Sequence, residues 1–490
     1  MPRSPRSCPS QCNVLLIGGG GREHAIAWSL ARSKRLGTLW VTHASNPALA
    51  KLGTPCPHQW DPSNVFQFAT WCDKQAIDLV VVGPELPLAE GIADALSTDT
   101  RFVFGPRSDG ARIESDKAFA KDIMRQAAVP TADARTFQDA NSARRYVLRG
   151  VDRDLEAAGL TTDAAELRSF LASNDDRGMI PFPELAEETR QLLHAHDEPC
   201  VIKATGLAAG KGVIVCRNTL EALEAVERVM VDREFGDAGG ELLVEEFLEG
   251  QELSVLALVD GRTIWILDPC QDHKQVGEGD TGANTGGMGA YCPTPLVSTE
   301  LLDTIEQDIL LPTVDALRRE GIDYRGVLYA GLMLTPAGPK VLEFNCRFGD
   351  PECQPLMMRL EGDLVEILWA CCTGGLHEVE LGFSDRSACC VVMCSEGYPG
   401  TYEKGREISG IGDAADGRDV MVFHAGTMRD EQGTLRTNGG RVLSVTALGS
   451  DLQGARDRAN AACDSISFDG AFWRKDIGHR VMSSSSTPRG

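Results

Sequence analysis

The stretch Leu-Glu-Phe-Asn-Cys-Arg-Phe-Gly-Asp-Pro-Glu at residues 342–352 begins as a strand and ends in a turn. Alternation along the strand places Glu343 and Asn345 on one face and Phe344 on the opposite, buried face. Magnesium favours a few protein oxygens that are completed by the phosphates of a substrate. The two oxygen ligands therefore predict a metal site that needs a nucleotide. If they stood alone, two polar residues on a solvated face would be the better interpretation.

The turn after this strand is rich in charge. Arg347 offers a guanidinium to a carboxylate or phosphate, and Asp350 and Glu352 offer carboxylates to an amine. Upstream, the runs 272–274 (Asp-His-Lys) and 284–289 (Asn-Thr-Gly-Gly-Met-Gly) add charge and bare backbone amides. The histidine and the methionine of these runs are expected to pack. Together the groups predict a substrate pocket beside the metal.

Residues 206–212 (Gly-Leu-Ala-Ala-Gly-Lys-Gly) have the composition of a phosphate-binding loop but not its spacing. Gly212 replaces the Ser or Thr that would hold magnesium, and the loop joins two predicted strands instead of a strand and a helix. We interpret it as a mobile glycine hairpin that closes over a triphosphate, with Lys203 and Lys211 neutralising its charge. A plain turn is the alternative.

Short apolar runs at residues 14–17, 39–42, 79–82 and 102–104 predict an open parallel α/β sheet, with loops 18–21 and 83–85 at the carboxyl ends of its strands. The glycines at 18–21 do not complete a dinucleotide fingerprint, because Glu23 stands where its third glycine would be and no acid lies near residues 38–45. A nicotinamide-dependent oxidoreductase is therefore not expected. A phosphate site and a structural turn both remain open.

The rest of the chain divides into segments that differ in their pattern of helix-forming and strand-forming residues. A helix is predicted at 108–128, and antiparallel strands separated by Gly-rich loops occupy 199–344. Residues 151–198 are acidic and helix-forming, which indicates an inserted surface excursion that is either inert or a partner contact. The predicted domains are 13–108, 109–380 with that insertion, and a separate small α/β cap at 381–482, with polar tails at 1–12 and 483–490.

Composition limits the classes of function. The chain has 490 residues with 71 acidic against 48 basic, a net charge of -23, which disfavours a nucleic-acid partner. No apolar stretch approaches the roughly 18 residues that a membrane span needs. The 16 cysteines lack Cys-x-x-Cys pairs, so reduced thiols and a cytoplasmic location are expected. Organelle targeting by the Arg- and Ser-containing N-terminus is left open.

From Val14 to Met482 the chain resembles the phosphoribosylamine–glycine ligase family of the ATP-grasp superfamily. The motifs that carry the resemblance are specific to the family when they occur together. They are runs 19–24 (Gly-Gly-Gly-Arg-Glu-His), 83–85, 104–106, 206–212, 271–274, 284–289, 347–352 and 473–478. It implies an N-terminal substrate-binding domain, a central ATP-grasp domain and a C-terminal cap.

The resemblance also implies a reaction. ATP would phosphorylate the carboxylate of glycine, and the amine of 5-phosphoribosylamine would displace phosphate, giving glycinamide ribonucleotide for de novo purine biosynthesis. Glu343 and Asn345 would hold magnesium or manganese. The residues implied in ATP binding are Lys117, Lys203, Gly210, Lys211, Gly212, Glu245, Glu246, Phe247, Leu248 and Glu252. Those implied in substrate binding are Gly20, Gly21, Arg22, Glu85, Asp272, Lys274, Asp280, Asn284, Arg347 and Asp350. Catalysis is assigned to Lys203, Lys211, Arg347 and Asp350.

The chain departs from the family pattern at Asp116, Gln275 and Ala283, where serine, arginine and proline are usual, and in the insertion at 151–198. The alternatives are another ATP-grasp carboxylate–amine ligase or carboxylase, and a noncatalytic nucleotide-binding regulator. The regulator would be expected to lose a metal ligand or a lid lysine. One activity is expected of this chain, and association with other enzymes of purine synthesis is left open.

Overall fold

The computed structural model describes residues 7–172, 182–208 and 212–482. The predicted lid residues Gly210 and Lys211 lie outside the described residues, as do residues 1–6 and the tail predicted at 483–490. The predicted N-terminal tail extends one residue too far, because Cys12 already begins the first strand and is fully buried.

A five-stranded parallel sheet forms the N-terminal region, as predicted, in the order β3-β2-β1-β4-β5. Its strands are β1 (Cys12–Ile17), β2 (Leu36–Val41), β3 (Thr54–Pro55), β4 (Leu79–Val82) and β5 (Phe102–Phe104). Its helices are α1 (Gly21–Leu30), α2 (Pro47–Leu52), α3 (Val65–Lys74), α4 (Glu85–Ala89) and α5 (Ile92–Leu96). β1 pairs with both β2 and β4, so the loops after β1 and β4 are neighbours at the carboxyl edge, where open α/β sheets bind ligands.

The single helix predicted at 108–128 is wrong, because the chain forms two helices there, α6 (Ser108–Ser115) and α7 (Lys117–Gln126). Asp116 lies between them in an extended conformation, with φ -136° and ψ 93°. Its carboxylate accepts a hydrogen bond from the amide of Phe119 at 3.0 Å and so caps α7. Aspartate therefore supplies the cap that the usual serine could also supply.

The first central sheet is antiparallel, with the order β6-β9-β7-β8. Its strands are β6 (Ala134–Phe137), β7 (Cys200–Ala204), β8 (Val213–Cys216) and β9 (Leu242–Glu246). The accompanying helices are α8 (Ala140–Val147), α9 (Val151–Ala157), α10 (Thr161–Ala172), α11 (Glu187–Ala195) and α12 (Thr219–Val226), the last continued by a π-helical turn at Glu227–Val231. β7 and β8 are joined by the glycine-rich loop, which confirms the predicted hairpin connectivity.

Helices α9 to α11 occupy the predicted insertion. Among the residues that the structure describes, eight buried side chains form a small core that these helices share with their neighbours, and it includes Leu167, Phe170 and Leu223. Leu223 belongs to α12 beside the central sheet, so the insertion is packed against the sheet domain through this contact. Its acidic helices are thus anchored to the protein.

The following strands are β10 (Gln251–Asp260), β11 (Ile264–Ile266), β12 (Gln271–Asp272), β13 (Gln275–Gly277), β14 (Thr281–Asn284), β15 (Gly289–Cys292), β16 (Arg325–Thr335) and β17 (Gly338–Asn345). The second central sheet has the order β11-β10-β16-β17 and is antiparallel, as predicted, and β13 and β14 form a separate hairpin. The next helices are α13 (Thr299–Ile305), α14 (Leu311–Arg319), α15 (Cys353–Arg359) and α16 (Leu364–Thr373), and 3-10 turns lie at Gly236–Gly239 and Leu376–Glu378. A π-helical turn, Glu306–Leu310, joins α13 to α14.

The C-terminal region contains β18 (Leu360–Glu361), β19 (Gly382–Phe383), β20 (Ser387–Ser395), β21 (Val420–His424), β22 (Thr427–Arg429), β23 (Leu435–Thr437), β24 (Arg441–Gly449) and β25 (Ala471–Phe472), with α17 (Ile411–Ala414), α18 (Leu452–Asp464) and α19 (His479–Met482). Its main sheet has the order β12-β15-β20-β24-β21, with β25 beside β20. The cap is therefore not separate, because β12 and β15 come from the central region. Exact domain boundaries stay predictions.

Two apolar cores hold the N-terminal and central regions together. One contains Leu15 and Val80 of the parallel sheet with Phe344 of β17, and the other contains Ile26 of α1 with Met357 of α15. The carboxyl edge of the parallel sheet is thereby fixed against the end of β17. Within the described ranges 7–172, 182–208 and 212–482, the helices are too short or too polar to cross a membrane.

Candidate active site

The loop after β1 is shaped around the carboxylate of Glu23. Its Oε2 accepts the amide of Gly20 at 2.6 Å, and its Oε1 accepts Nε of Arg22 at 2.6 Å. A Cβ added at Gly18 would lie 2.7 Å from Cγ of Glu23, and one at Gly83 would lie 2.0 Å from Oε1. The residue that breaks the dinucleotide fingerprint therefore ties the loops after β1 and β4 together.

Arg347 is held between two carboxylates of the N-terminal region. Its Nη2 lies 2.9 Å from Oε1 of Glu114, and its Nε lies 3.4 Å from Oε2 of Glu85. Burial opposes the charge of Arg347, but Glu114 and Glu85 outweigh burial and raise the pKa of the guanidinium. Glu114 also accepts the amide of Cys346 at 2.7 Å. Glu114 was not predicted as a site residue, because nothing in the sequence distinguishes it from any other acid on a helix.

Asp350 reaches the glycine loop, since a Cβ at Gly20 would lie 3.7 Å from its Oδ2. The same Oδ2 lies 3.2 Å from Nη2 of Arg441, and Oδ1 accepts Nε2 of Gln354 at 2.8 Å. Burial would raise the pKa of Asp350, but Arg441 and then Arg22 outweigh burial and hold it below its ordinary value. Arg441, at the start of β24, was also missed by sequence analysis.

The predicted nucleotide lysines converge on β7 and α7. Lys203 has its Nζ 2.7 Å from Oε2 of Glu245 and donates to the carbonyl of Leu342 at 3.0 Å. Lys121, which sequence analysis missed, lies 3.2 Å from Oε1 of the same carboxylate. Two lysines therefore share the buried side chain of Glu245.

Lys117 lies at the first turn of α7 and donates to the carbonyl of Gly206 at 3.1 Å. Burial lowers the pKa of this ammonium, and Glu343 acts in the opposite direction. Its amide also donates to the carbonyl of Thr205 at 3.0 Å. The lysine is thus attached to the start of the glycine-rich loop.

Glu343 and Asn345 lie at the end of β17, and Phe344 between them is buried in the core, as alternation predicts. Burial would raise the pKa of Glu343, but Lys274, Lys203 and Lys117 outweigh burial and lower it. Among the described residues, the Asn345 side chain has no hydrogen-bond partner, although it is only 7% exposed. An ionised carboxylate beside an unengaged amide suits a hard cation.

Lys274 links Glu343 of this pair to Glu252 of β10. Its Nζ lies 3.0 Å from Oε2 of Glu252 and 4.0 Å from Oε1 of Glu343. Asp272 lies two residues earlier and is 6% exposed. Burial raises the pKa of Asp272 to about 8, against the opposing charge of Lys274. Ionisable groups of β10, β12 and β17 thus surround Lys274.

Two predicted substrate residues do not join this cluster. Both carboxylate oxygens of Asp280 are occupied, Oδ1 by Arg474 at 2.9 Å and Oδ2 by Arg480 at 2.7 Å, so Asp280 ties the β13–β14 hairpin to α19 and the residues just before it. Asn284 lies exposed on β14, opposite Gln275. Gln275, where the family usually has arginine, contributes its backbone carbonyl, which accepts from Nη1 of Arg474 at 3.0 Å. The departure at Ala283 has no explanation in the structure.

The remaining nucleotide predictions lie beside β9. Glu246 is exposed and lies 3.2 Å from Lys340, Phe247 is half-buried, and Leu248 is buried. Gly212 is buried and its carbonyl accepts the amide of Ala204 at 2.8 Å. The pair of Glu246 and Lys340 joins β9 of the first central sheet to β17 of the second.

The lysines, the acid–amide pair and the glycine hairpin on two antiparallel sheets define an enzyme of the ATP-grasp class. The phosphoribosylglycinamide synthetase models match residues 12–114 (N domain), 181–353 (ATP-grasp domain) and 388–480 (C domain). The chain belongs to this family, which confirms the resemblance seen in the sequence.

Individual relatives agree with this assignment. A phosphoribosylamine–glycine ligase of Rhodopirellula baltica is 46% identical over 478 residues, covering 96% of this chain and 98% of its own. A trifunctional purine biosynthetic protein of Gallus gallus is 45% identical, and the match covers 97% of this chain but 43% of that protein. A crystal structure of a Thermotoga maritima phosphoribosylamine–glycine ligase covers 95% of this chain and 100% of its own, with a TM-score of 0.70 and 28% identity.

Proposed function

We propose that the chain is an ATP-dependent ligase that joins glycine to 5-phosphoribosylamine and forms glycinamide ribonucleotide for purine synthesis. The observation that carries the proposal is the meeting of two charged clusters at the end of β17. Glu343 and its lysines lie on one side, and the loop of Arg347 and Asp350 contacts the parallel sheet on the other. A nucleotide site and an acceptor site are therefore adjacent.

The chemistry follows from this adjacency. The carboxylate of glycine would take the terminal phosphoryl group of ATP, and ADP would leave. The amine of phosphoribosylamine would then attack the acyl carbon, and the bond to phosphate would break. Such transfers need charge neutralisation and positioning more than covalent help. Lys203 and Lys117 are placed to neutralise phosphate charge, and Glu343 and Asn345 would hold Mg²⁺ or Mn²⁺, which withdraws charge from the transferred group.

We assign the acceptor side to the residues that converge there. The Gly20 and Gly21 backbone with Arg22 is suited to a phosphate at the switch point of the parallel sheet. Arg347 is suited to a carboxylate, and Asp350, kept ionised by Arg441, is suited to an amine. Lys274, which lies 4.0 Å from Glu343 and acts on the buried Asp272, is assigned to the same side. Asp280 is left out of this set because its ion pairs are with Arg474 and Arg480 of the C-terminal region and not with the residues that converge here.

One assay tests the function. The purified chain is given ATP, magnesium and glycine, with phosphoribosylamine formed in place from ribose 5-phosphate and ammonium ion, and phosphate release is measured. Release is expected only when all components are present. Omitting ribose 5-phosphate controls for ammonium as the acceptor. Release with bicarbonate or another amino acid in place of glycine would overturn the substrate assignment.

Where the enzyme works and with whom are further proposals. The cytoplasmic location and the association with other enzymes of purine synthesis rest on the chain's class. The fused Gallus gallus relative shows only that a similar segment occurs inside a longer purine biosynthetic protein.

A further inference from the structure

Arg441 is the first residue of β24, in the C-terminal sheet, yet its guanidinium lies among loops of the central region. Nη1 donates to the carbonyl of Asp350 at 2.7 Å and to that of Gly287 at 3.4 Å, and it also donates to the carbonyl of Gly286. Nη2 lies 3.2 Å from Oδ2 of Asp350. One side chain therefore joins two loops that are more than 60 residues apart in the sequence.

Residues 285–288 are tied to β12 and to the residues just after it by the hydrogen bonds of Thr285 to Lys274 and of Met288 to His273, but the contact to the Asp350 loop is made at the glycine pair. Gly286 and Gly287 carry no side chains, and Gly287 has φ +109°, a conformation that glycine adopts without strain. A Cβ at Gly287 would lie 2.4 Å from Cδ of Pro351, so the two backbones approach closely. The amide of Gly287 donates to the Thr285 hydroxyl within the loop at 3.0 Å, whereas the carbonyls of Gly286 and Gly287 accept from Arg441.

A second restraint comes from the same region of the chain. The hydroxyl of Tyr398 accepts the amide of Gly286 at 3.1 Å, while Arg441 takes the carbonyl of the same residue. Both polar groups of the Gly286 peptide units are thus fixed by the C-terminal region. The ring of Tyr398 is itself packed close to Gly440, next to Arg441.

The guanidinium also sets the state of Asp350. Burial alone would favour the neutral carboxyl, and Arg441 is the first of the charges that outweigh burial. The other groups that act on Asp350 are Arg22, Gln354 and Arg347. Since the side chains of Arg441 and Asp350 are 23% and 17% exposed, the pair remains in contact with solvent and is not sealed in the core.

We propose that Arg441 is a positioning residue that aligns the Gly286–Gly287 backbone with the Asp350 carboxylate on the acceptor side of the site. The proposal rests on the proposed function in one respect, namely that the side of the site next to Asp350 binds the acceptor. Arg441 touches no reacting atom in this role. It acts through the Gly286–Gly287 loop and the Asp350 carboxylate. The C-terminal sheet, which carries Arg441, therefore contributes to the geometry of the site.

The planar, five-donor guanidinium can meet three carbonyls and a carboxylate at once, whereas an ammonium cannot. A misplacement of about 1 Å at a reacting group can lower turnover roughly 100-fold. We therefore expect Arg441→Met to lower kcat/KM for glycine and phosphoribosylamine roughly 100-fold, and Arg441→Lys to recover part of the loss. The dissociation constant for ATP, measured in the absence of the other substrates, should stay within twofold, because Lys203 and Glu343 lie on other sheets.

The control is Arg436→Met. Arg436 lies in the same region, pairs with Asp430 and donates to the carbonyl of Gly405 at 3.0 Å, but it lies away from the cleft loops. Its removal should leave all kinetic constants within twofold. Comparing Arg436→Met with Arg441→Met separates the effect of removing any arginine of this region from the effect of misaligning the Gly286–Gly287 backbone and Asp350.

Tyr398→Phe gives an independent test that removes one hydroxyl. We expect a smaller loss of kcat/KM than in Arg441→Met, with an unchanged melting temperature. In the double variant Tyr398→Phe/Arg441→Lys, the loss of kcat/KM should differ from the sum of the losses in the two single variants, because both groups restrain one peptide. Kinetic constants within twofold of the parent in Arg441→Met would overturn the proposal. An equal weakening of ATP binding in that variant would also overturn it, since a merely structural role predicts a general loss. If the parent enzyme does not require glycine and phosphoribosylamine together, the proposed function fails instead.

Discussion

The Nζ atom of Lys203 lies 2.7 Å from Oε2 of Glu245, a carboxylate that is only 3% exposed. Such buried pairs stabilise a protein only when each charge is fully partnered, because taking both charges out of water is costly. Glu245 is doubly partnered, by Lys203 and by Lys121, and Lys203 donates further to the carbonyl of Leu342. The ammonium is thereby held at the end of β7 next to the strand that carries Glu343.

Replacing Lys203 by Met is expected to lower kcat by roughly 100-fold or more, since one well-placed stabiliser of developing charge contributes about 3 to 4 kcal/mol. The fold should survive, because Lys121 still neutralises Glu245. Steady-state phosphate release and circular dichroism would show this. Lys475→Met, which removes a lysine that is 59% exposed, serves as the control. Near-normal turnover of a folded Lys203→Met enzyme would contradict the role.

Glu343→Gln keeps the size of the side chain and removes the charge that three lysines stabilise. We expect a loss of similar order, roughly 100-fold in kcat, and a higher magnesium concentration for half-maximal rate, because a neutral amide binds a hard cation more weakly. Titrating magnesium at saturating ATP measures both effects. Glu380→Gln, at an exposed position, should behave as the parent. An unchanged magnesium requirement would argue against metal binding at Glu343.

Asp272→Asn tests the buried carboxyl whose pKa is raised to about 8 by burial. An unfolded chain releases this proton near its ordinary pKa of 3.8, so between these values the native state binds more protons and stability falls as pH rises. The variant should therefore show a flatter dependence of melting temperature on pH between about 5 and 8. Asp303→Asn, at an exposed position, should keep the parental slope. An unaltered slope in Asp272→Asn would mean that the carboxyl ionises normally.

Leu167→Ala tests the inserted helices. Leu167 is 1% exposed in the small core of α9 to α11, and truncating a buried leucine costs about 2 to 5 kcal/mol. Hydrogen exchange in these helices should accelerate, while kcat and KM stay within twofold if the insertion is inert to catalysis. Leu311→Ala, where the leucine is 42% exposed, should change neither. A loss of turnover in folded Leu167→Ala would show that the insertion acts on the site.

Local sequence signals predicted much of the fold. Continuous apolar runs indicated the parallel strands, which are covered on both faces, and alternation placed Glu343 and Asn345 on the face opposite Phe344. The single helix at 108–128 failed because Asp116 can either continue a helix or cap the next one. That choice depends on the amide of Phe119 and on neighbouring tertiary contacts.

The sequence by itself determined the strands, the turns and the motif residues, because these depend on neighbours within a few positions. Only the tertiary structure decided which charges meet. Glu114 lies 232 positions from Cys346, whose amide it accepts, and Arg441 lies 91 positions from Asp350. The sequence predicted a separate cap, but only the tertiary structure shows that β12 and β15 of the central region join the cap's sheet. Pairing across such distances leaves no periodic trace in the chain, because it is set by the packing of whole sheets and not by local backbone preference.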